Sequence, residues 1–221
     1  MKLLKVNIAE LIDHTLLRAG ATRNDIRRLC EEARKYCFKS VCVSSGNVAL
    51  CKKHLCNSGV KICSVVGFPL GSSSAQAKAW EARRAVKDGA DEIDMVINIG
   101  ALKSGDYTAV YKDILEARKA AKNKILKVII ETCYLTRNEK VKACRLAKKA
   151  GADFVKTSTG FGPKGASASD VRLMKKAAGP GMGVKASGGI KTLADARKMI
   201  EAGANRLGTS ASVDIVKAAG K

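Results

Sequence analysis

Short apolar runs alternate with longer, alanine-rich charged stretches along almost the whole chain. The runs are rich in valine and isoleucine and too short for helices, so they predict strands. The stretches between them have the composition of helices, most clearly Ala75–Lys87 and Asn138–Ala150. The predicted strands are Ile12–Leu17, Ser40–Val43, Lys61–Gly67, Glu92–Ile99, Leu126–Glu131, Phe154–Ser158, Gly183–Ala186 and Arg206–Gly208.

Regular strand–helix alternation predicts a parallel sheet of the α/β class. About eight such units in 221 residues predict one domain, residues 1–221, folded as a closed (β/α)8 TIM barrel behind a short N-terminal helix. An open, doubly wound sheet stays as the alternative, because strand number alone does not prove closure. The segments DGAD (88–91), AGAD (150–153) and AGAN (202–205) each place a glycine where a helix ends and a strand follows.

The composition limits the classes of partner that this protein is expected to bind. A formal charge of +21, from 41 basic and 20 acidic residues, attracts anions such as nucleic acid or phosphorylated metabolites. The basic residues are spread over nearly every predicted helix, so we expect a solvated surface and no nucleic-acid partner. Eight cysteines without a C-x-x-C pair, beside two histidines, indicate free thiols in a reducing cytoplasm and no metal site. No apolar run is long enough to predict a membrane partner.

A lysine lies within a predicted strand in FVKTSTGFG (154–162). Burying the Lys156 ammonium without a partner is costly and lowers the pKa of the amine. A neutral amine is what a Schiff-base nucleophile requires, because only that form attacks a carbonyl. The alternative is a lysine near the strand end that reaches solvent or pairs with an acid.

Two further polar residues in predicted strands accompany it. Lys185 in VKASGGI (184–190) repeats the pattern one strand later, and two neighbouring ammonium groups would lower the pKa of at least one of them. Asp94 alternates with Ile93 and Met95, so it faces the opposite side of its strand. It could move protons for a catalytic lysine or simply neutralise one. The three residues together predict the catalytic group Lys156, Lys185 and Asp94.

Glycine-rich turns follow the last two predicted strands. Gly188 and Gly189 follow the seventh strand, and Gly208 and Ser210 lie at the end of the eighth. Loops at these places in barrels often bind phosphate through backbone N–H groups at a helix N-terminus. The alternative is a pair of ordinary tight turns.

Other polar positions near predicted strand ends complete the expected substrate site. Asp13 and Thr15 could orient a hydroxyl group of the substrate, or make local turn and cap hydrogen bonds. Lys127 opens the fifth strand, where we expect a secondary role in pairing or structure. The remaining predicted substrate-site residues are Cys42, Thr157, Thr159 and Gly160.

These segments together resemble the deoxyribose-phosphate aldolase family. The similarity runs in family order from about residue 13 to residue 211, and the KTSTGF and KASGGI segments are its most specific parts. The matching segments are DHTLL (13–17), VCV (41–43), VGFPLG (66–71), EIDMVINIG (92–100), KVIIET (127–132), FVKTSTGF (154–161), VKASGGI (184–190) and GTSA (208–211).

The resemblance implies a barrel enzyme that needs neither metal nor cofactor and forms a homodimer. It implies reversible cleavage of 2-deoxy-D-ribose 5-phosphate to D-glyceraldehyde 3-phosphate and acetaldehyde. Lys156 would form the imine, Asp94 and Lys185 would transfer protons, and Gly188, Gly189 and Ser210 would lie at the phosphate.

One departure concerns the phosphate end. Some family members carry a phosphate-contacting lysine just after the TSTG motif, where this chain has Phe161, with Lys164 nearby as a substitute. Two other interpretations stay open at this point. Another phosphate-binding barrel enzyme would explain the glycine loops but not the paired lysines, and a nucleic-acid-binding protein would explain only the charge.

Overall fold

The computed structural model describes residues 7–220, and within them eight parallel strands close into a barrel in chain order. β1 closes the barrel by pairing with β8, with Asp13 opposite Gly208. Closure excludes the open-sheet alternative and confirms the (β/α)8 fold. The strands are β1 (Ile12–Thr15), β2 (Ser40–Val43), β3 (Lys61–Val66), β4 (Glu92–Val96), β5 (Ile125–Ile129), β6 (Phe154–Lys156), β7 (Gly183–Ser187) and β8 (Arg206–Thr209).

Helices surround the barrel and connect its strands. Three of them begin with a threonine capping box, at Thr22, Thr136 and Thr192, which satisfies N–H groups that the first turn leaves free. The α-helices are α1 (Arg23–Lys35), α2 (Val48–His54), α3 (Ala75–Lys87), α4 (Ile99–Lys103), α5 (Tyr107–Ala121), α6 (Arg137–Lys149), α7 (Ala168–Ala178), α8 (Leu193–Glu201) and α9 (Ser212–Ala219).

The predicted glycine stops are confirmed. Gly89, Gly151 and Gly203 have φ angles of 113°, 79° and 106°, which allow the chain to leave a helix and enter the next strand. Of the predicted N-terminal helix, the described part is a short 3-10 helix at Ile8–Leu11. Residues 1–6 of that segment lie outside the described residues. In residues 7–220, no helix has the length and hydropathy that a membrane crossing needs.

Several predicted strands were too long at their carboxyl ends. β1 stops at Thr15 instead of Leu17, and β4 stops at Val96 instead of Ile99. Beyond β4, the side chain of Asn98 accepts a hydrogen bond from the N–H of Ala101, and the chain turns into α4. The apolar residues continue past the strand because they remain buried after the backbone turns.

The apolar core lies between the barrel and the helices, where outward-facing strand residues such as Ile93, Val128 and Val184 are fully buried. Many of the inward-facing side chains, by contrast, are charged. Charged residues from β1, β4, β5, β6, β7 and β8 contact one another inside the barrel. The barrel interior therefore holds the polar chemistry, and the helix layer supplies most of the hydrophobic burial.

Candidate active site

Three strands bring the predicted catalytic residues together. Lys156 on β6 and Lys185 on β7 are register partners, so their side chains leave the sheet at the same level. The Nζ atoms of both lysines donate to Oδ2 of Asp94 on β4, each at 2.8 Å. Asp94 thus lies between two ammonium groups that would otherwise face each other.

A third lysine binds the other oxygen of the same carboxylate. Lys127 donates from Nζ to Oδ1 of Asp94 at 2.7 Å and is fully buried in the middle of β5, not at its start. We call Asp94, Lys127, Lys156 and Lys185 the lysine–aspartate cluster. Burial favours a raised pKa for Asp94, but the charges of Lys127, Lys156 and Lys185 outweigh it and hold that pKa well below its ordinary value.

The pKa of Lys185 itself is raised, so the lowering predicted for at least one of the two lysines does not occur at Lys185. Burial alone would lower the pKa of Lys185, but the carboxylates of Asp13 and Asp94 raise it above the ordinary lysine value. The pKa of Lys127 is raised as well: burial opposes its charge, and Asp94 makes the largest favourable contribution. Both lysines are therefore cations that stay protonated across the physiological range.

Three more charged residues, Asp13, Glu92 and Arg206, contact the cluster from the side of the amino ends of the strands. Glu92 and Arg206 were not among the site residues that the sequence predicted. Glu92 opens β4 and lies 2.5 Å from Nζ of Lys127. Arg206 opens β8, and its guanidinium contacts Glu92 at 3.0 Å and donates from Nε to Asp13 at 2.9 Å. Asp13 in turn lies 2.5 Å from Nζ of Lys185. A charged residue opening an apolar strand was the only sequence signal for this pair.

A pocket of about 320 Å³ opens above the cluster. Lys156 lines it, whereas Asp13, Cys42, Asp94, Lys127, Thr157 and Lys185 lie deeper and do not. The predicted site residues that line the pocket are Thr15, Lys156, Thr159, Gly160, Gly188, Gly189, Gly208 and Ser210. The pocket is also lined by Ser187 and Thr209, from the two predicted glycine turns, and by Leu16, Leu17, Arg18, Ile190 and Lys191, for which the sequence predicted no role. Phe161 lines it too, and Lys164 does not.

The glycine turns form one end of this pocket. Gly188 and Gly189 have φ angles of 85° and 76°, which residues with a side chain rarely adopt. Because glycine has no β-carbon, a ligand can approach the N–H groups of this turn closely. The loop after β6 packs against this turn, because the N–H of Ala166 donates to the carbonyl of Gly188 at 3.0 Å. α8 and α9 begin shortly after the two turns, so their N-termini add positive potential there.

Two predicted substrate residues have partners inside the protein. Thr157 accepts from the N–H of Ser187 and donates to its carbonyl, both at 3.1 Å, and so joins β6 to β7. The thiol of Cys42 lies beside Cys63 on β3, and its hydrogen bond with Cys63 is the main cause that lowers its pKa to about 7. Direct contact of Thr157 or Cys42 with substrate stays a prediction.

One group of donors could hold a metal ion. Sγ of Cys42, Sγ of Cys63 and an oxygen of Asp94 lie within 4.8 Å of one another. Both Asp94 oxygens already accept from ammonium groups, whose charge opposes a second cation. The donor set is therefore better suited to holding lysines than to holding a metal.

A barrel whose pocket has a lysine amine at its floor and glycine turns at one end belongs to the class of enzymes that act on phosphorylated carbonyl compounds. Comparison with known proteins narrows this class. The model of the DeoC/LacD family of aldolases matches residues 8–218, and the chain belongs to that family.

The similar proteins agree. A deoxyribose-phosphate aldolase of Thermococcus gammatolerans is 59% identical, covering 97% of both chains. One of Thermoanaerobacter sp. (strain X514) is 57% identical, covering 96% of both. A crystal structure of a putative deoxyribose-phosphate aldolase from Coccidioides immitis superposes with a TM-score of 0.95 at 46% identity, covering 97% of this chain and 86% of that one. The enzyme from Aeropyrum pernix, described as a unique tetramer, gives 0.89 at 35% identity, covering 97% and 91%.

Proposed function

We propose that this chain is a deoxyribose-phosphate aldolase that works through an imine at Lys156. It cleaves 2-deoxy-D-ribose 5-phosphate to D-glyceraldehyde 3-phosphate and acetaldehyde, and it catalyses the reverse addition. Family membership and the names of relatives that are 57–59% identical support the reaction. The observation that carries the mechanism is the position of Lys156, the one lysine of the cluster that lines the pocket.

The barrel interior holds more basic groups than carboxylates. If every group is ionised, four cations face three carboxylates, which leaves an excess positive charge in a buried site. The pKa values of Arg206, Lys127 and Lys185 are all raised, so these three groups keep their protons. Only a neutral amine attacks a carbonyl, and Lys156 is the lysine of this set that lines the pocket where a carbonyl compound would bind.

The reaction follows from this arrangement. The Lys156 amine attacks C1 of the open-chain sugar, and the carbinolamine loses water to give a protonated imine. The C2–C3 bond then breaks as the C3 hydroxyl loses its proton; the bonding electrons move into an enamine, and the three-carbon aldehyde leaves. Protonation of the enamine at C2 and hydrolysis of the imine release acetaldehyde. Asp94, 2.8 Å from Nζ of both Lys156 and Lys185, is placed to move protons between them.

We assign the phosphate to the glycine turns. Gly188, Gly189, Gly208 and Ser210 line the pocket together with Lys156, so one substrate can reach both. Backbone N–H groups and two helix N-termini suit a dianion. Lys191 also lines the pocket and adds a cation there.

Borohydride trapping tests the mechanism. The protein is mixed with acetaldehyde, reduced, digested and analysed by mass spectrometry. We expect an ethyl adduct on Lys156 in the wild type and none on that peptide in Lys156→Met. Lys149→Met, at the end of α6 on the barrel exterior, is the matched control and should label like the wild type. Turnover of deoxyribose 5-phosphate without an adduct on Lys156 would contradict the proposal.

A second arm separates this mechanism from a metal-dependent aldolase. Treatment with EDTA should leave both trapping and turnover unchanged. Loss of turnover on chelation, restored by a divalent cation, would favour metal-assisted chemistry instead.

We also infer the setting in which the enzyme works. The family match over residues 8–218 supports a single catalytic domain. Eight free thiols, five of them fully buried, favour a reducing compartment such as the cytoplasm. We propose a homodimer as the basic assembly; because the Aeropyrum pernix relative is described as tetrameric, light scattering after gel filtration should distinguish the two states.

A further inference from the structure

Glu131 lies just beyond β5 in an unusual backbone conformation. Its φ of 51° is in the left-handed region, which residues with a side chain rarely adopt. The residue is only 2% exposed. A buried carboxylate on a strained backbone needs strong local contacts to persist.

Those contacts come from Thr159, in the loop after β6. The N–H of Thr159 donates to both carboxylate oxygens of Glu131, at 3.3 Å and 3.1 Å. The hydroxyl of Thr159 also donates to Oε2 of Glu131. Glu131 thus takes both hydrogen-bond donors of Thr159 and fixes its position.

The consequence reaches the pocket. Oγ1 of Thr159 accepts from the N–H of Phe161 at 3.0 Å, so the same hydroxyl orders the next turn of the loop. Thr159, Gly160 and Phe161 line the pocket, whereas Glu131 does not. Because its own donors are occupied by Glu131, Thr159 shapes the pocket wall and has no free donor for the substrate.

This wall lies at the proposed phosphate end. A β-carbon added at Gly188 would approach Cα of Gly160 to 3.5 Å, so the two loops are in close contact. Glu131 and Lys156 are close along the backbone, since the N–H of Ile130 donates to the Lys156 carbonyl at 3.0 Å, but the side chain of Lys156 donates to Asp94 and not to Glu131. A shift of the loop would therefore change the phosphate end more than the imine end.

We propose that Glu131 is a positioning residue that, through Thr159, holds the loop 159–161 against the Gly188 turn and so sets the preference for phosphorylated sugars. The inference rests on the proposed function, since it assumes that the Gly188 turn receives phosphate. It adds the residue that builds this end of the site without touching the substrate.

The test measures the specificity ratio, defined as kcat/KM for 2-deoxyribose 5-phosphate divided by kcat/KM for 2-deoxyribose. Glu131→Gly removes the carboxylate and suits the left-handed backbone, so the fold should persist. We expect the ratio to fall about 10- to 100-fold, mostly through KM of the phosphorylated sugar. Glu131→Gln keeps one acceptor oxygen and should lose less than about 10-fold.

Two controls isolate the pathway through Thr159. Asn57→Gly also introduces glycine at a left-handed, exposed position (φ 58°) and should leave the ratio unchanged. Thr159→Val should lower the ratio, and the double variant Glu131→Gly/Thr159→Val should lose clearly less than the product of the two single losses.

The outcomes separate this inference from the proposed function. Absence of an acetaldehyde adduct on Lys156 in the wild type would overturn the proposed function. Normal labelling with an unchanged ratio in Glu131→Gly would overturn only the role of Glu131. An equal loss for both sugars, or fully multiplicative losses in the double variant, would show a structural role alone and would also overturn it.

Discussion

Replacing Asp94 with asparagine removes one negative charge from the barrel interior and preserves the shape of the side chain. In the native protein, its two oxygens accept from Lys127 at 2.7 Å and from Lys156 and Lys185 at 2.8 Å. An asparagine has one acceptor oxygen, and its amide group would point two donors at a lysine ammonium. The variant therefore leaves buried cations without their shared anion.

The expected cost follows from the burial of these groups. Asp94 and Lys185 are fully buried, and breaking one partner of a buried ion pair costs about 3 to 5 kcal/mol. The three lysines share one carboxylate, so we expect a value within this range instead of three separate penalties. Loss of a proton-transfer group lowers kcat/KM by about 10²- to 10⁴-fold.

Urea unfolding gives the free energy, and its pH dependence gives a second check. The pKa of Asp94 is depressed in the folded protein, so its stabilisation is complete above the ordinary carboxyl range and is lost as pH falls through the folded value. The difference between wild type and Asp94→Asn should be constant from about pH 5 to pH 8 and shrink progressively at lower pH.

The matched control is Asp88→Asn, which removes an exposed ion pair with Arg84 on α3. We expect its free energy of unfolding to change by no more than about 1 kcal/mol. If Asp94→Asn unfolds at the same free energy as this control and keeps turnover within a factor of about 10, the shared carboxylate is not what holds the cluster together.

Two stability predictions concern residues outside the site. Gly71→Ala should destabilise the protein by about 2 to 4 kcal/mol in urea unfolding, because Gly71 has φ 71° and an added β-carbon would lie 1.9 Å from the carbonyl oxygen of Ile97. Lys78→Met should cost about 3 kcal/mol, because it leaves the buried carboxylate of Asp113 unpaired, and acetaldehyde trapping should not change. Recovery of most of the loss in the double variant Lys78→Met/Asp113→Leu would confirm that the unpaired carboxylate causes it. Unchanged stability in Gly71→Ala or in Lys78→Met would contradict the prediction for that variant.

The barrel could be predicted from the sequence because its periodicity has a direct physical cause. Strands such as β3 and β5 are buried on both faces, so they are nearly continuous runs of apolar residues. Their carboxyl ends could not be predicted in this way. Ile97 is fully buried and donates to the carbonyl of Ile129 after β4 has ended, so composition does not mark the point where the backbone turns.

The proximity of Asp94, Lys156 and Lys185 could be predicted as well, because charged residues in apolar strands stand out. Their electrostatics could not. Two lysines side by side predict that the pKa of at least one of them is lowered, but they do not predict that Asp13 and Asp94 raise the pKa of Lys185. The sign depends on which carboxylates reach the lysines across the barrel, and that is a property of closure.

Glu131 shows the same limit for the loops. The segment KVIIET makes it look like the last residue of a strand, and a glutamate at a strand end is ordinarily solvated. Its burial, its left-handed φ and its bonds to Thr159 arise only when β5 and β6 lie side by side.

The interior charges also explain why one lysine among three is suited to be the nucleophile. Lys127 contacts the carboxylates of Asp13, Glu92 and Asp94. Lys185 contacts those of Asp13 and Asp94, so each of these lysines has at least two anions nearby. Lys156 contacts Asp94 alone and shares it with the other two. It is also the one that lines the pocket. The lysine with the fewest carboxylate partners is therefore the one that lines the pocket, and Glu92, which Arg206 contacts, supplies a further carboxylate to Lys127 from the amino end of β4.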